Sequence, residues 1–197
     1  MHRLKRTAGL VLFALILSAC TSLSPQQVEL QPLIDARQRL PAGLSLALDA
    51  KDLRPSPVIG YRVSRFEQNA FITLARDARY TLLSSAQQAL RQMGAYRIVP
   101  DASSNDVAKL TLLLDDLSYE ANQHSVRQEV QLSMKLRLVT QYHGRTFTGH
   151  YQSQKTHSSP LPPTEATNQE LLNELASETL SRAFSDPRLI DFLRQNG

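Results

Sequence analysis

Residues 126–142, VRQEVQLSMKLRLVTQY, alternate between apolar and polar side chains along their whole length. Valine, leucine, methionine and tyrosine occupy most even positions, whereas charged and polar residues occupy most odd positions. Because successive side chains of a strand point to opposite faces, this pattern predicts a long antiparallel strand with one buried and one wet face. His143-Gly144-Arg145 supplies a turn, and residues 146–157 return as a second strand. The sequence therefore predicts a long β-hairpin.

Shorter strands are predicted on the N-terminal side of the hairpin, at residues 44–50, 59–63, 70–74, 96–99 and 109–121. In residues 109–121 the apolar positions change parity. The apolar side chains are Leu110, Leu112 and Leu114, and then Leu117, Tyr119 and Ala121. One extra residue in a strand turns the following side chains to the other face, so a β-bulge near Asp115 and Asp116 would reconcile the two halves.

Two longer segments, residues 77–93 and 164–184, carry apolar residues three and four positions apart, which predicts amphipathic helices. Gly94 ends the first helix, and Asp186-Pro187 begins a short last helix that runs through Arg194. The order of elements predicts an α+β fold. We expect a largely antiparallel sheet with a long central hairpin, two main helices packed on one face, and a short C-terminal helix.

The first twenty residues, MHRLKRTAGLVLFALILSAC, have the order of an export signal: a basic segment and then an apolar run. The run is about ten residues long, well below the roughly 20 that a membrane-spanning helix needs. Leu17-Ser18-Ala19-Cys20 resembles the bacterial lipobox. We therefore predict a signal peptide at residues 1–19 and lipid attachment at Cys20, where a diacylglycerol and a further acyl chain such as palmitate would anchor the chain stably.

Residues 20–43 are interpreted as the lipidated cysteine and a tether, because they contain three prolines and weak periodicity. Their apolar residues also leave open an edge strand. Residues 44–197 are predicted to form a single periplasmic domain. No Asp follows Cys20, since Thr21 and Ser22 stand there. By analogy with enteric bacteria this predicts the periplasmic side of the outer membrane rather than the inner membrane.

The formal net charge is +4, but Arg3, Lys5 and Arg6 lie in the predicted signal peptide, and without them 19 basic residues face 18 acidic ones. This balance, with no concentrated basic face, argues against nucleic acid as a partner. Cys20 is the only cysteine. An intrachain disulfide and a zinc site with two thiolates are therefore excluded.

Several short motifs together resemble the YajG family of uncharacterised bacterial lipoproteins over nearly the whole chain. They are the lipobox at Cys20, Ser24-Pro25, Leu48-Asp49, Asp52-Leu53-Arg54, Ile59-Gly60-Tyr61-Arg62, the helix end ALRQMGAY, the long central strand, and Asp186-Pro187 with Asp191-Phe192-Leu193. The resemblance implies an exported, lipid-anchored domain with no established activity. It supplies no catalytic residues.

Residues that could carry chemistry are few. The histidines after the signal, His124, His143, His150 and His157, lack metal-ligand spacing, and we predict no metal and no cofactor. A nucleophile elbow and a phosphate-binding glycine loop are absent from the sequence. Asp115-Asp116 is the best carboxylate pair, but adjacent strand residues point to opposite faces unless a bulge re-aims one of them.

Arg54, Tyr61 and Arg62 form the candidate binding spot, since two cations and an aromatic ring could hold an anionic envelope ligand. The competing interpretation is ordinary turn and edge-strand packing.

The sequence favours a non-enzymatic, lipid-anchored module that binds an envelope protein or peptidoglycan, or that serves as a transport accessory. The wet face of the hairpin or a sheet edge would be its contact surface. The alternative is an envelope (cell-wall) hydrolase that uses Asp115 or Asp116 with His124.

Overall fold

In a computed structural model of the chain, the described residues are 24–63, 69–99, 106–123 and 127–195. They form one eight-stranded sheet and three helices. The predicted signal peptide, its lipobox and Cys20 lie outside the described residues, as does His124.

The long strands lie in the second half of the chain, and the shorter ones precede them. The strands are β1 (Gln26–Val28), β2 (Ser45–Asp52), β3 (Val58–Val63), β4 (Asn69–Leu74), β5 (Arg97–Val99), β6 (Ala108–Gln123), β7 (Gln128–Tyr142) and β8 (Arg145–Ser159). The helices are α1 (Ala78–Gln92), α2 (Glu165–Phe184) and α3 (Pro187–Gln195). Mixed strands and helices confirm the predicted α+β class.

The predicted hairpin is confirmed as β7 and β8, which pair antiparallel over their full length. Their connection is a two-residue turn in which His143 has φ of 47° and Gly144 has φ of 72°. Positive φ at both positions matches the right-handed twist of the flanking strands, and this is why such turns close hairpins. Buried side chains occupy the even positions of β7 from Val130 to Tyr142, as the alternation predicts.

The sheet is mixed, so the expectation of a largely antiparallel sheet is confirmed only in part. Antiparallel pairing joins β3 to β4, β6 to β7, and β7 to β8. Parallel pairing joins β1 to β4, β2 to β5, and both β2 and β3 to β6. β3 meets β6 where Gly60 faces Tyr119, and a Cβ on Gly60 would lie 1.9 Å from the Tyr119 carbonyl oxygen. Only glycine permits this close approach.

Helix α1 explains why β5 pairs parallel with β2. It follows β4, packs on β2, and ends at Gln92, two residues before Gly94, which has φ of 92°. The helix carries the chain back to the start of β2, where the Tyr96 N–H donates to the Leu44 carbonyl (3.0 Å), so β5 runs in the same direction as β2. An alternating sequence shows which face of a strand is buried, but it does not show the direction of its neighbour.

The helices and the sheet share one hydrophobic core. Helix α2 packs on β7, β8 and β1, and α1 packs on β2. The inward residues of both helices belong to the same cluster as those of the sheet, among them Leu82, Ala86, Leu90, Leu172, Leu175 and Leu180. Each fully buried leucine contributes roughly 1.5–3 kcal/mol relative to an exposed one.

The segment that follows β1 is bound along α2 by a row of polar contacts. Alternate backbone N–H groups donate to side chains one helical turn apart, namely Glu29 to Gln169 (2.9 Å), Gln31 to Asn173 (2.6 Å), Leu33 to Ser177 (3.0 Å) and Asp35 to Ser181 (2.9 Å). Two extended residues advance about 6.6 Å and four helical residues about 6 Å, so the two repeats stay in step. The part of the predicted tether after Val28 is therefore docked on the domain.

The start of β1 is fixed by a buried polar network. The Gln26 side chain donates to the Glu165 carbonyl (2.8 Å) and accepts from Asn168 (3.0 Å), which in turn accepts from the Tyr119 hydroxyl (3.0 Å). Gln26 is 4% exposed and Asn168 is fully buried. Burial raises the pKa of Tyr119 to about 12, so its hydroxyl stays protonated and remains a donor.

Asp186 holds α3 against β8. It accepts from the Tyr151 hydroxyl (2.8 Å), the Arg188 backbone N–H (2.9 Å) and the Arg188 guanidinium (2.8 Å). The predicted cap before Pro187 is thereby confirmed. Hydrogen bonds from Arg188 hold the pKa of Asp186 below its ordinary value, although burial opposes this shift.

We expect Asp186→Asn to lower the free energy of unfolding by about 1–3 kcal/mol at pH 7, because a buried acceptor of charge-assisted hydrogen bonds is lost. The folded pKa is depressed, so this stabilisation is present above the unfolded pKa of about 4 and is lost as the pH falls through the folded value. Urea denaturation at pH 7 and pH 3 measures both effects. Asp191→Asn, at an exposed position of the same helix, is the matched control. Equal midpoints for the two variants at pH 7 would contradict the assignment.

Candidate functional site

The predicted bulge in β6 is confirmed at Asp115. Leu114 pairs with Leu136 of β7, and the next paired residue, Asp116, faces Lys135. Asp115 is therefore the extra residue on the bulged strand. Before the bulge the even positions of β6 are buried, and after it Leu117 and Tyr119 are buried.

The bulge turns both carboxylates to the outer side of the sheet. Asp115 contacts Arg137, an odd residue of β7, and Asp116 lines a concavity on that same outer side. The bulge has thus re-aimed one of the two adjacent carboxylates, so that Asp115 and Asp116 share a face. Both side chains lie opposite the helices.

Asp115 is held by Arg137. The Arg137 Nε and Nη2 atoms donate to the two carboxylate oxygens, each at 2.6 Å, in a bidentate pair. These hydrogen bonds raise the pKa of Arg137. An aspartate engaged at both oxygens by a permanent cation is poorly suited to act as a general acid or a nucleophile. Of the two carboxylates, Asp116 faces the concavity.

Nine polar side chains on β6, β7 and β8 form a surface that we call the polar sheet face. They stand in three cross-strand rows: Glu120–Gln131–Thr156, Ser118–Ser133–Gln154 and Asp116–Lys135–Gln152. All nine line a shallow concavity of about 310 Å³. The concavity is deepest at the two serines of the middle row, because the rows on either side carry longer side chains. Directly opposed side chains lie about 5 Å apart, so neighbouring groups can bind one ligand together.

An exposed aromatic pair continues this surface. Tyr61 on β3 faces Phe71 on β4, and both rings are about half exposed. Gly60 pairs with Tyr119, which places Tyr61 beside Glu120 on the outer side. Aromatic rings on a sheet surface offer flat apolar contact next to the hydrogen-bonding rows.

Arg54, Tyr61 and Arg62, the three residues of the predicted anionic-ligand spot, do not form one site. The Arg54 guanidinium donates to Asp52 at 2.6 Å, and its side chain is 7% exposed. Hydrogen bonds from Arg54 hold the pKa of Asp52 below its ordinary value. Arg62 pairs with Glu165 at 2.6 Å, on the inner side. Tyr61 points to the outer side. Both arginines thus have carboxylate partners within the domain.

The polar sheet face could have been read from the sequence only in part. The odd positions of β7 were correctly assigned to a wet face, but the rows also need residues of β6 after the bulge and of β8. Their alignment depends on the register of three strands. The pairing of Arg54 and Arg62 with acids of this chain could not be read from the sequence at all.

The three histidines of the described ranges, His143, His150 and His157, lie apart along β8 and its turn. His143 lies 3.6 Å from Asp106 and stacks on Tyr142, with 4.3 Å between ring centroids, whereas His150 and His157 lie on β8. Within the described ranges, no three His, Cys, Asp or Glu side chains are grouped so that they could hold a metal ion.

A family model described as "Uncharacterized lipoprotein" matches residues 32–194, which is most of the chain. The match defines the class of protein to which this domain belongs. The chain is a member of this family of lipoproteins, the YajG family, and the resemblance found in its motifs is confirmed. No curated protein matches the sequence.

Several solved structures are similar to this chain at low sequence identity. One, described as an uncharacterized protein, has 11% identity and a TM-score of 0.47, with 81% of this chain and 99% of the other covered. The rare lipoprotein B from Shewanella oneidensis has 15% identity and a TM-score of 0.38, with 76% and 94% covered. Lipoprotein GNA1162 from Neisseria meningitidis has 14% identity and a TM-score of 0.34, with 71% and 97% covered. Likeness of this degree carries no functional information.

In the part of the chain that the structure describes, no helix is long and apolar enough to cross a membrane.

We expect deletion of Asp115 to destabilise the domain by several kcal/mol. Without the extra residue, either Leu117 and Tyr119 turn outward or β6 must shift its pairing, and each large side chain lost from the core costs about 1.5–3 kcal/mol. The control is Asp115→Ala, which keeps the bulge and removes a partly exposed ion pair worth about 1 kcal/mol or less. Urea denaturation followed by circular dichroism compares the two. A deletion variant as stable as the substitution would show that the bulge does not set the register.

Proposed function

We propose that this protein is a lipid-anchored, non-enzymatic module on the periplasmic side of the bacterial outer membrane, and that its polar sheet face binds a cell-wall glycan. The lipobox-like sequence at Cys20 and membership of a lipoprotein family support the anchor. The observation that carries the binding role is the concave array of nine hydrogen-bonding side chains on the side of the sheet away from the helices.

The chemistry of the polar sheet face favours a neutral, hydroxylated ligand. Amides and hydroxyls both donate and accept, which suits the hydroxyl and acetamido groups of a glycan. Glu120 and Asp116 are balanced by Lys135 and by Lys155, which also lines the concavity, so the surface carries no net charge at neutral pH, as suits a neutral ligand. Tyr61 and Phe71 provide a stacking surface beside the rows.

A binding role also fits the site better than the hydrolase alternative. Asp115 is engaged by Arg137, and an open sheet face does not exclude water from a reacting bond. Glycosidases place two carboxyl groups on either side of the scissile bond. Here both carboxylates project from one strand.

The binding proposal is tested by co-sedimentation of the full-length protein with purified, protein-free peptidoglycan sacculi. We expect the wild type to sediment and the double variant Gln131→Ala/Gln154→Ala to bind many-fold more weakly, because several hydrogen bonds of about 1 kcal/mol each are removed. Both glutamines are exposed, so the fold is retained. The matched control is Gln88→Ala/Gln92→Ala, at exposed positions of α1. Equal binding by the two double variants, or no sedimentation of the wild type, would overturn the glycan assignment.

The anchor is tested by the intact mass of the membrane-extracted protein, wild type against Cys20→Ala, with separation of the two membranes. We expect an acylated mass that begins at Cys20, found in the outer membrane and lost in the variant. An uncleaved or unmodified wild-type chain would contradict the anchor. An acylated chain in the inner membrane would contradict only its location.

A further inference from the structure

One end of the sheet gathers the start of β1 and the termini of the long strands. Gln123 at the end of β6 pairs with Gln128 at the start of β7, which pairs with Ser159 at the end of β8. β3 runs parallel to β6 and ends at the same side, where Val63 pairs with Asn69 of β4. The turn at His143 and Gly144 lies at the opposite end, about 50 Å away along the 15 residues of β7.

The chain enters the domain at the first of these ends. Arg62 donates to the Ser24 carbonyl (3.4 Å) and to Glu165 (2.6 Å), so Ser24 lies beside the start of α2. Two residues further on, Gln26 is buried and bonded to Glu165 and Asn168. The polar contacts from Glu29 to Asp35 then hold the following segment along α2. The entry point is therefore fixed, and the tether cannot lengthen without breaking buried hydrogen bonds.

The free length of the tether is short. Ser24 stands four positions after Cys20, and at most about 3.6 Å per position the chain between them spans about 14 Å. This is much less than the length of β7. A lipid on Cys20 thus keeps the end that contains Ser24 within about 14 Å of the membrane surface, and the hairpin turn lies far from that surface when the long strands stand upright on it.

We propose that this end of the domain, which we call the anchor end, lies against the lipid surface that holds Cys20, with Leu161 in contact with the headgroup region. The proposal rests on the lipid anchor of the proposed function. Leu161 stands four residues before Glu165, among Pro160, Pro162 and Pro163, and is 62% exposed. A single leucine in the interface adds only about 1.5–3 kcal/mol, so the covalent anchor brings it there rather than its own affinity.

The polar sheet face then lies near the membrane with its rows parallel to the surface. Its first row contains Glu120, three residues from the end of β6, which is about 10 Å from the anchor end. The third row, with Asp116, lies about 13 Å further out. A ligand of this surface must therefore approach within a few tens of ångströms of the lipid.

The test labels single introduced cysteines in the full-length protein, purified from membranes and placed in phosphatidylethanolamine–phosphatidylglycerol vesicles that contain brominated lipid. Leu161→Cys reports on the anchor end, and Thr146→Cys, exposed beside the hairpin turn, is the matched control. Each carries the same thiol-reactive fluorophore. We expect strong quenching at position 161 and none at position 146, because about 50 Å far exceeds the range of contact quenching.

Labelling of the wild-type chain, whose only cysteine is Cys20, shows whether a negative result is due to a wrong orientation or to a missing anchor. When Cys20 is acylated, the wild type takes up no label. Labelling of the wild type would overturn the anchor, and with it both the proposed function and this orientation. An unlabelled wild type, together with equal quenching at positions 161 and 146 or with no quenching at either, would overturn the orientation alone.

Discussion

The pairing of β6 on both of its edges is the constraint on which the rest of the structure depends. One edge pairs with β7 throughout, and the other pairs first with β2 and then with β3. The change of partner falls at the bulge, where the Leu53 N–H donates to the Leu114 carbonyl. A bulge increases local twist and bends the strand, so the sheet can curl around α1 and α2 on its inner side. The same extra residue keeps Leu117 and Tyr119 in the core.

The inner side of the curled sheet is closed by helices and by the docked N-terminal segment. Gln169, Asn173, Ser177 and Ser181 form a polar row along α2, next to the apolar stripe that packs on β7 and β8. The row satisfies the backbone of a segment that has no strand partner beyond Val28. The outer side of β6, β7 and β8 keeps its side chains exposed instead. One long strand thus separates a core surface from an exposed polar surface by parity alone.

The sequence predicted those features that depend on one strand or one helix. The hairpin followed from alternation in residues 126–142, the bulge from the parity change at Asp115, and the α3 cap from Asp186-Pro187. What it missed depends on contacts between distant segments. Parallel pairing of β2 with β5 requires α1 to return the chain, and docking of residues 29–35 requires a match between two repeats. Arg54 and Arg62 looked available because their partners, Asp52 and Glu165, could not be assigned from spacing.

The docked segment also connects the fold with the anchor. Sequence composition suggested a tether of 24 residues from Cys20 to Gly43, which would let the domain move tens of ångströms from the membrane. Because β1 begins at Gln26 and is pinned through Asn168, only a few residues remain free to separate the domain from a lipid on Cys20. A short tether restricts the directions that the domain can face, and so it restricts which ligands the polar sheet face can meet. In the proposed membrane-bound arrangement, the buried Gln26–Asn168–Tyr119 network therefore helps to set which way the polar sheet face is turned, although the network lies in the core.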